Sequence, residues 1–309
     1  MRIAFMGTPE FSVPALKELI NSCKTNSDYE LVCVYTRRPK EAGRGQKIQY
    51  SPIYKITEEN NIQIFTPKNL RNEKNQEEFK KLNIDVAVVV AYGLIIPEEV
   101  INMTKYGFIN IHPSLLPKWR GSAPMQRCLL SNDEYTGVCI MKLDAGMDTG
   151  DIIKVSDKIK IDKNVDIEYL HDNLSVMGAK MLIEVLEDIK NNNGNIKTYK
   201  QDDNLATIAP KIEKEEGIID FNNSSVEYID KQIRALWVFP SVYFNHNGNR
   251  IKILKADFEK NNNAKYPLGS IINDKFHIQC KDGILKPLIV QKEVKNPMDI
   301  KSFLNGYKI

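Results

Sequence analysis

The 309-residue sequence predicts a two-part protein: a doubly wound α/β domain followed by a small antiparallel β domain. Three observations carry this prediction. Strand-like and helix-like patterns alternate through the first part, and residues 84–92 (IDVAVVVAY) are apolar nearly throughout, as a strand buried on both faces of a parallel sheet requires. Residues 191–209 are polar and poor in bulky apolar side chains, which reads as a linker. Short strand patterns then follow one another around Asn247-Gly248, a strong hairpin signal. A chain this long also exceeds the roughly 250–300 residues at which single cores stop growing.

The elements follow in order. Residues 2–7 form an apolar run ending at Gly7, the first strand. Residues 12–22 place Val13, Leu16, Leu19 and Ile20 on one helical face, with Pro14 tolerable in the first turn. Strands are expected at 29–35, 84–92, 108–112 and 136–143, and a helix at 76–82. Over 167–190, apolar residues repeat at three- and four-residue steps from Ile167 to Ile189, predicting a long amphipathic helix. The following Asn191-Asn192-Asn193-Gly194-Asn195 stops it. Ser224 and Glu227 form a capping box ahead of a helix carrying Val226, Ile229, Ile233, Leu236 and Trp237. Strands at 241–245, 250–258, 270–272, 276–280 and 284–292 make a set of five, which fits a small barrel, with a sandwich as the competing arrangement. The expected division is therefore 1–190, a linker at 191–209, and 210–309.

Composition excludes several classes. With 42% hydrophobic and 27% charged residues, the chain is globular rather than disordered. No apolar run approaches the ~20 residues that cross a bilayer, and the N-terminus lacks a secretory h-region, so a cytoplasmic protein is expected. Five scattered cysteines without a CxxC pair read as reduced thiols. None of the four histidines stands at zinc-ligand spacing from a cysteine or another histidine, so no metal is expected. A monomer is the default expectation. The net charge of +3 is unevenly spread: residues 210–309 hold 16 basic against 12 acidic side chains, +4, and the remainder is −1.

The turn after the first strand, Gly7-Thr8-Pro9-Glu10-Phe11, lacks the GxGxxG of a dinucleotide site, and no P-loop is present. The richest segment is residues 108–127, FINIHPSLLPKWRGSAPMQR. Asn110 and His112 lie two apart on a strand, so their side chains share a face. An amide and an imidazole at a strand's carboxyl end sit where open α/β sheets bind ligands. The loop from Asp144 to Asp151 follows the next strand. Its aspartates do not follow EF-hand order. One of them reaching His112 would raise the imidazole pKa and hold it protonated.

SLLP within NIHPSLLPKWRGSAPMQR, followed by LDAGMDTGDI, resembles the folate-dependent formyltransferases. MRIAFMGTPEFSVPAL, AGRGQKIQYSP, VVVAYGLIIP and APKIEKEEGIIDF fall in the order of the branch that acts on methionyl-tRNA, so the resemblance spans the chain. It implies a Rossmann-like formyltransferase domain followed by a small OB-like antiparallel β-barrel. It also implies formyl transfer from 10-formyltetrahydrofolate to the α-amine of initiator methionyl-tRNA. The family's catalytic trio matches Asn110, His112 and Asp148. Its folate-binding SLLP matches Ser114, Leu115, Leu116 and Pro117, and its pterin loop matches Ala91, Tyr92, Gly93, Leu94 and Ile95. Its tRNA-wedging loop matches residues 37–52, where Arg44 and Lys47 are the expected tRNA contacts. Many relatives carry Asp-Arg-Pro before AGRG and two lysines after it; this chain has Pro39-Lys40-Glu41 before it and Gln46 at the first lysine position. Relatives also often carry Pro-Trp-Pro where this chain has Trp237-Val238-Phe239-Pro240. The second domain argues against a one-domain purine-pathway relative; sugar-nucleotide formyltransferases and the hydrolase part of formyltetrahydrofolate dehydrogenase can carry a similar second domain and are separated by the AGRG loop and by assay. A nucleic-acid-binding barrel on an inert scaffold is the remaining rival.

Overall fold

The computed structural model describes residues 1–42, 47–261 and 264–307. Arg44 and Gln46 lie outside the described residues. Contacts divide the chain into two compact units. The first comprises Met1–Gly121, Tyr135–Lys160 and His171–Ile208; the second comprises Ser122–Glu134, Ile161–Leu170 and Ala209–Ile309.

The first unit is built on a seven-stranded mixed sheet. Its strands are β1 (Arg2–Gly7), β2 (Glu30–Tyr35), β3 (Gln63–Phe65), β4 (Val86–Val90), β5 (Phe108–His112), β6 (Cys139–Lys142) and β7 (Ile152–Val155). They run in the order β7-β6-β5-β4-β1-β2-β3, parallel from β5 to β3, with β6 and β7 antiparallel. All five residues of β4 are buried, as its apolar run requires. The chain leaves β1 in one direction for β2 and β3, and returns on the other side for β4 and β5. The carboxyl ends of β1 and β4 therefore flank a topological switch point, where such sheets bind ligands. Gly7 has the tight turn read from the sequence: a Cβ there would lie 2.7 Å from Phe5 Cε1 and 2.9 Å from Ser12 Cβ.

Helix α1 (Val13–Thr25) carries Pro14 in its first turn, where no intrahelical N–H is lost. It buries Ala15, Leu16, Leu19 and Ile20. Helix α2 (Pro52–Glu59) and edge strand β3 had no sequence signal strong enough to assign; α2 is capped by Ser51, whose hydroxyl accepts from the Tyr54 N–H. Helix α3 (Glu73–Lys81) covers the predicted 76–82 segment. The long helix, α4 (Ile167–Asn191), ends as expected: Asn193 and Gly194 take positive φ (52° and 84°), and the Gly194 N–H returns to the Ile189 carbonyl.

Three expectations require correction. The strand over 136–143 is broken in two. Tyr135–Thr136 pairs with Ile159–Lys160, while β6 joins the main sheet. Gly137 lies between them, and a Cβ there would come within 2.7 Å of both Leu115 and Ser156, so the chain is pinched as it changes partners. The helix α5 (Val226–Leu236) is capped by Ser225, not Ser224; the Ser225 hydroxyl accepts from the Tyr228 N–H. Glu227 then ion-pairs with Lys260 and Lys231 instead of folding back on a cap. Residues 270–272 form one isolated bridge, Ile271 to Ile278, rather than a strand.

The second unit holds one five-stranded antiparallel sheet: β8 (Val242–His246), β9 (Asn249–Lys260), β10 (Ile278–Cys280), β11 (Gly283–Lys292) and β12 (Met298–Asp299). The order is β8-β9-β11-β10, with β12 on β11. Asn247 (φ 49°) and Gly248 (φ 73°) form the two-residue turn between β8 and β9. Register shifts around Lys255 in β9 add the twist that curls the sheet into a half-barrel. Helix α5 packs on this sheet and on Pro124–Leu130, a helix from the first half of the sequence. Arg127 joins that segment to Glu216 by two hydrogen bonds of 2.5 and 2.9 Å, and Arg234 holds the Val165 carbonyl at 2.7 Å. The segment read as a linker runs along the first unit: Tyr199 exchanges backbone hydrogen bonds with Ile152, and Thr198 donates to Asp151 at 2.8 Å. Among the described residues no helix is long and apolar enough to cross a membrane.

The cap correction is directly testable. Ser225→Ala should destabilise the protein by about 1 kcal/mol in urea unfolding, and Ser224→Ala should leave the midpoint unchanged. The reverse pattern would restore the capping box.

Candidate active site

The site grows from the carboxyl end of β5. Asn110 and His112 are 8% and 3% exposed, and strand alternation puts both side chains on one face. On one side Asn110 pairs in register with Val89 of β4, and on the other with Met141 of β6. The loop leaving β4 therefore starts level with His112. In that loop Ala91 and Gly93 take positive φ (47° and 80°), and the Tyr92 carbonyl accepts from the Thr8 hydroxyl at 2.7 Å. Ala91, Gly93 and Ile95 are exposed, and Leu94 is half-buried. Tyr92, by contrast, turns into the core beside Tyr35 and Phe108, where burial pushes its phenol pKa up.

After His112 the chain makes a compact turn. Ser114 is fully buried, and its hydroxyl donates to the Lys118 carbonyl at 2.6 Å, so it braces the turn itself. Leu116 packs with Cys139, Met141 and Ile152, Leu115 is half-buried, and the Leu116-Pro117 bond is cis. Trp119 follows at φ 66°, its N–H on the Thr207 hydroxyl at 2.9 Å.

The 144–151 loop brings Asp148 to the histidine. Asp144 ties the loop, accepting from the Gly146 N–H at 3.0 Å and from the Thr149 hydroxyl at 2.8 Å. Gly150 presses on β6 so closely that a Cβ would lie 2.0 Å from the Lys142 carbonyl oxygen. Asp148, at φ 55°, places Oδ2 3.6 Å from His112 Nδ1 and accepts the Gly121 N–H at 2.8 Å on the same oxygen. His112 Nε2 lies 2.9 Å from the Trp119 carbonyl oxygen. A carbonyl only accepts, so Nε2 carries a hydrogen, and the neutral ring presents a bare Nδ1 toward Asp148.

This electrostatic balance overturns one expectation. Asp148 and the Trp119 carbonyl both favour the imidazolium, but burial outweighs them and holds the His112 pKa below its ordinary value. The resting ring is neutral rather than protonated. A proton arriving at Nδ1 would complete an ion pair with Asp148.

The structure therefore brings Asn110, His112 and Asp148 to one place and sets Ser114–Pro117 and Ala91–Ile95 at neighbouring loop positions. Lys47 opens a short strand, Lys47–Gln49, that pairs with Lys40–Ala42. Sequence reading missed Gln201 and Thr207. Gln201 Nε2 donates to the carbonyls of Asp148 and Gly150, both at 2.8 Å. Both residues lie in the polar stretch assigned to a linker, where nothing in the local pattern marks a contact made across the fold.

Comparison with known proteins identifies the family of both domains. Residues 1–186 match the family described as "Formyl transferase", and 211–308 match "Formyl transferase, C-terminal domain". The methionyl-tRNA formyltransferase of Ehrlichia chaffeensis is 47% identical, covering 100% of this chain and 98% of that protein. The protein of the same name from Rickettsia felis is 41% identical, covering 100% and 98%. Among solved structures, an N-formyltransferase from Helicobacter canadensis in complex with folinic acid and dTDP-3-aminofucose superposes with a TM-score of 0.68 at 21% identity, covering 92% of this chain and 98% of that one. HypX from Aquifex aeolicus in complex with tetrahydrofolic acid gives a TM-score of 0.63 at 15% identity, covering 98% of this chain, which spans 47% of HypX. At these identities the two structures share the fold.

The neutral histidine has a measurable signature. By NMR, the His112 ring should titrate below the ordinary ~6.5, and Asp148→Asn, which removes the group that raises it, should lower it further. An unfolded chain takes up that proton near 6.5 while the folded one resists. His112 therefore costs no stability above about 6.5, and the protein loses stability as pH falls below that value toward the folded pKa. A His112 titration at or above the ordinary value would overturn this balance.

Proposed function

The chain belongs to the formyl transferase family in both of its domains, and we propose that it transfers the formyl group of 10-formyltetrahydrofolate to the α-amino group of initiator methionyl-tRNA. The observation that carries the acceptor is 47% identity, over the full chain, to a protein named for that reaction. The donor is a substrate, and the crevice at the carboxyl ends of β1, β4 and β5 is where an open sheet would receive it. Residues 1–190 serve as the catalytic domain, 191–209 as the connection, and 210–309 as the tRNA-binding domain. The +4 of residues 210–309 suits a phosphate backbone, so affinity for tRNA should fall with salt.

The chemistry follows from the residues. The methionyl amine attacks the formyl carbon only while neutral, and it sheds a proton as the new C–N bond forms. The formyl oxygen becomes an oxyanion. The Asn110 amide donates to it, and one such donor in a dry site is worth about 3–4 kcal/mol. His112, neutral at rest, accepts the proton at Nδ1, carried through water, and Asp148 Oδ2 stabilises the imidazolium at 3.6 Å. The same proton then passes to the folate nitrogen as its bond to carbon breaks. Holding Nε2–H on the Trp119 carbonyl keeps the ring in the tautomer that leaves Nδ1 free to take that proton.

Ser114–Pro117 and Ala91, Tyr92, Gly93, Leu94 and Ile95 form the donor's folate-binding loops in this reading. Within them Ser114 and Tyr92 act through the backbone path they fix, because their side chains turn inward. Arg44 and Lys47 contact the tRNA. An enzyme that modifies aminoacyl-tRNA before initiation works in the cytoplasm.

Formyl transfer to initiator and elongator methionyl-tRNA, with a sugar-nucleotide amine as control, tests the reading; transfer to the sugar alone would refute it. His112→Ala should reduce kcat by a factor of about 10² to 10⁴ while donor binding persists, and unchanged turnover would remove His112 from the mechanism. Arg44→Ala should raise KM for methionyl-tRNA without altering KM for the folate donor; equal kinetics with intact tRNA would remove Arg44 from the interface.

A further inference from the structure

We infer that Gln201 is a positioning residue for the reaction, holding Asp148 against His112 through a fixed amide that Arg120 orients. This rests on the reading of His112 and Asp148 as the proton-handling pair.

Asp148 takes a backbone conformation that L side chains rarely adopt, at φ 55°, so something must hold it there. Its carboxylate is committed to His112 and the Gly121 N–H. The Asp148 carbonyl, on the other side of the residue, accepts from Gln201 Nε2 at 2.8 Å. The same Nε2 donates to the Gly150 carbonyl, also at 2.8 Å. One amide group therefore ties together the two carbonyls on either side of Thr149, fixing the turn that presents the carboxylate.

A glutamine amide can flip by 180°, exchanging donor for acceptor. Here it cannot flip without penalty, because Gln201 Oε1 accepts from Arg120 Nε at 2.9 Å. A flipped amide would face an NH2 to the guanidinium and an oxygen to two carbonyls. Arg120 is itself 6% exposed, and its other nitrogen reaches Asp203 Oδ1 at 2.8 Å. The chain of contacts runs from Asp203 through Arg120 and Gln201 to Asp148 and ends at His112. Arg120 is a neighbour of Trp119, whose carbonyl holds the opposite nitrogen of the same imidazole. Both sides of the ring are thus set by groups tied to the 201–207 stretch.

A role in positioning differs from a role in folding in what it does to the imidazole. Gln201→Met keeps the side-chain length and removes both donors. In the full-length protein, the His112 ring should titrate lower in this variant than in the wild type, in the same direction as in Asp148→Asn, because the displaced carboxylate no longer favours the imidazolium. The kcat for formyl transfer should fall about a hundredfold with KM for the folate donor unchanged. In the double variant Gln201→Met/Asp148→Asn, the loss should add little to that of Asp148→Asn alone. A folded Gln201→Met protein with wild-type His112 titration and wild-type kcat would overturn the inference, and so would fully additive losses. Should Gln201→Met fail to fold, Gln201→Leu, which removes the donors without adding a charge beside Asp148, answers the same question. If the wild type showed no formyl transfer, the functional reading would fail, while the His112 titration would still decide whether Gln201 places Asp148.

Discussion

A neutral histidine buried against a carboxylate is the constraint around which the first unit is arranged. Burying an imidazole beside Asp148 requires that neighbouring polar groups hold the pair and deny the ring alternative orientations. The Trp119 carbonyl takes Nε2–H, the Gly121 N–H takes Asp148 Oδ2, and Gln201 takes the carbonyl behind it. Two of those partners, Trp119 and Gly121, and Asp148 itself have positive φ.

That arrangement alters what the pair does. In the proposed reaction a histidine already charged would have no capacity to take the amine's proton. There a neutral ring beside a carboxylate takes the proton as the amine releases it, and the ion pair so formed holds it until the folate nitrogen leaves. In that reading the burial of His112, which lowers its basicity, is part of the mechanism, and the carboxylate of Asp148 at 3.6 Å restores some of that basicity.

Much of this was legible in the sequence for local reasons. The all-apolar β4 announced a doubly covered parallel strand, the i, i+3, i+4 repeat announced α4, and Asn193-Gly194 and Asn247-Gly248 announced its end and a hairpin. Asn110 and His112 could be put on one face because strand geometry has a period of two. Failures occurred where a neighbour distant in sequence decided the outcome. The break at Gly137 comes from the approach of Leu115 and Ser156. The cap at Ser225 in place of Ser224 is a shift of one residue that composition cannot resolve. The protonation state of His112 follows from burial, which outweighs the neighbouring carboxylate and has no signature in the local sequence.

The sequence by itself determined the order of elements, the two-part division of composition, the candidate residues and the family resemblance, because each rests on residue type and spacing along the chain. Only the tertiary structure decided which elements share a core. The helix Pro124–Leu130 and the 161–170 segment belong with the second unit, held there by Arg127–Glu216 and Arg234–Val165, while residues 191–208 belong with the first. It also decided that Gln201, in a stretch read as a linker, touches the backbone of Asp148. Hydrogen bonds between residues fifty or more positions apart leave no periodicity to read, and burial, which sets the charge on His112, is a property of the packed chain alone.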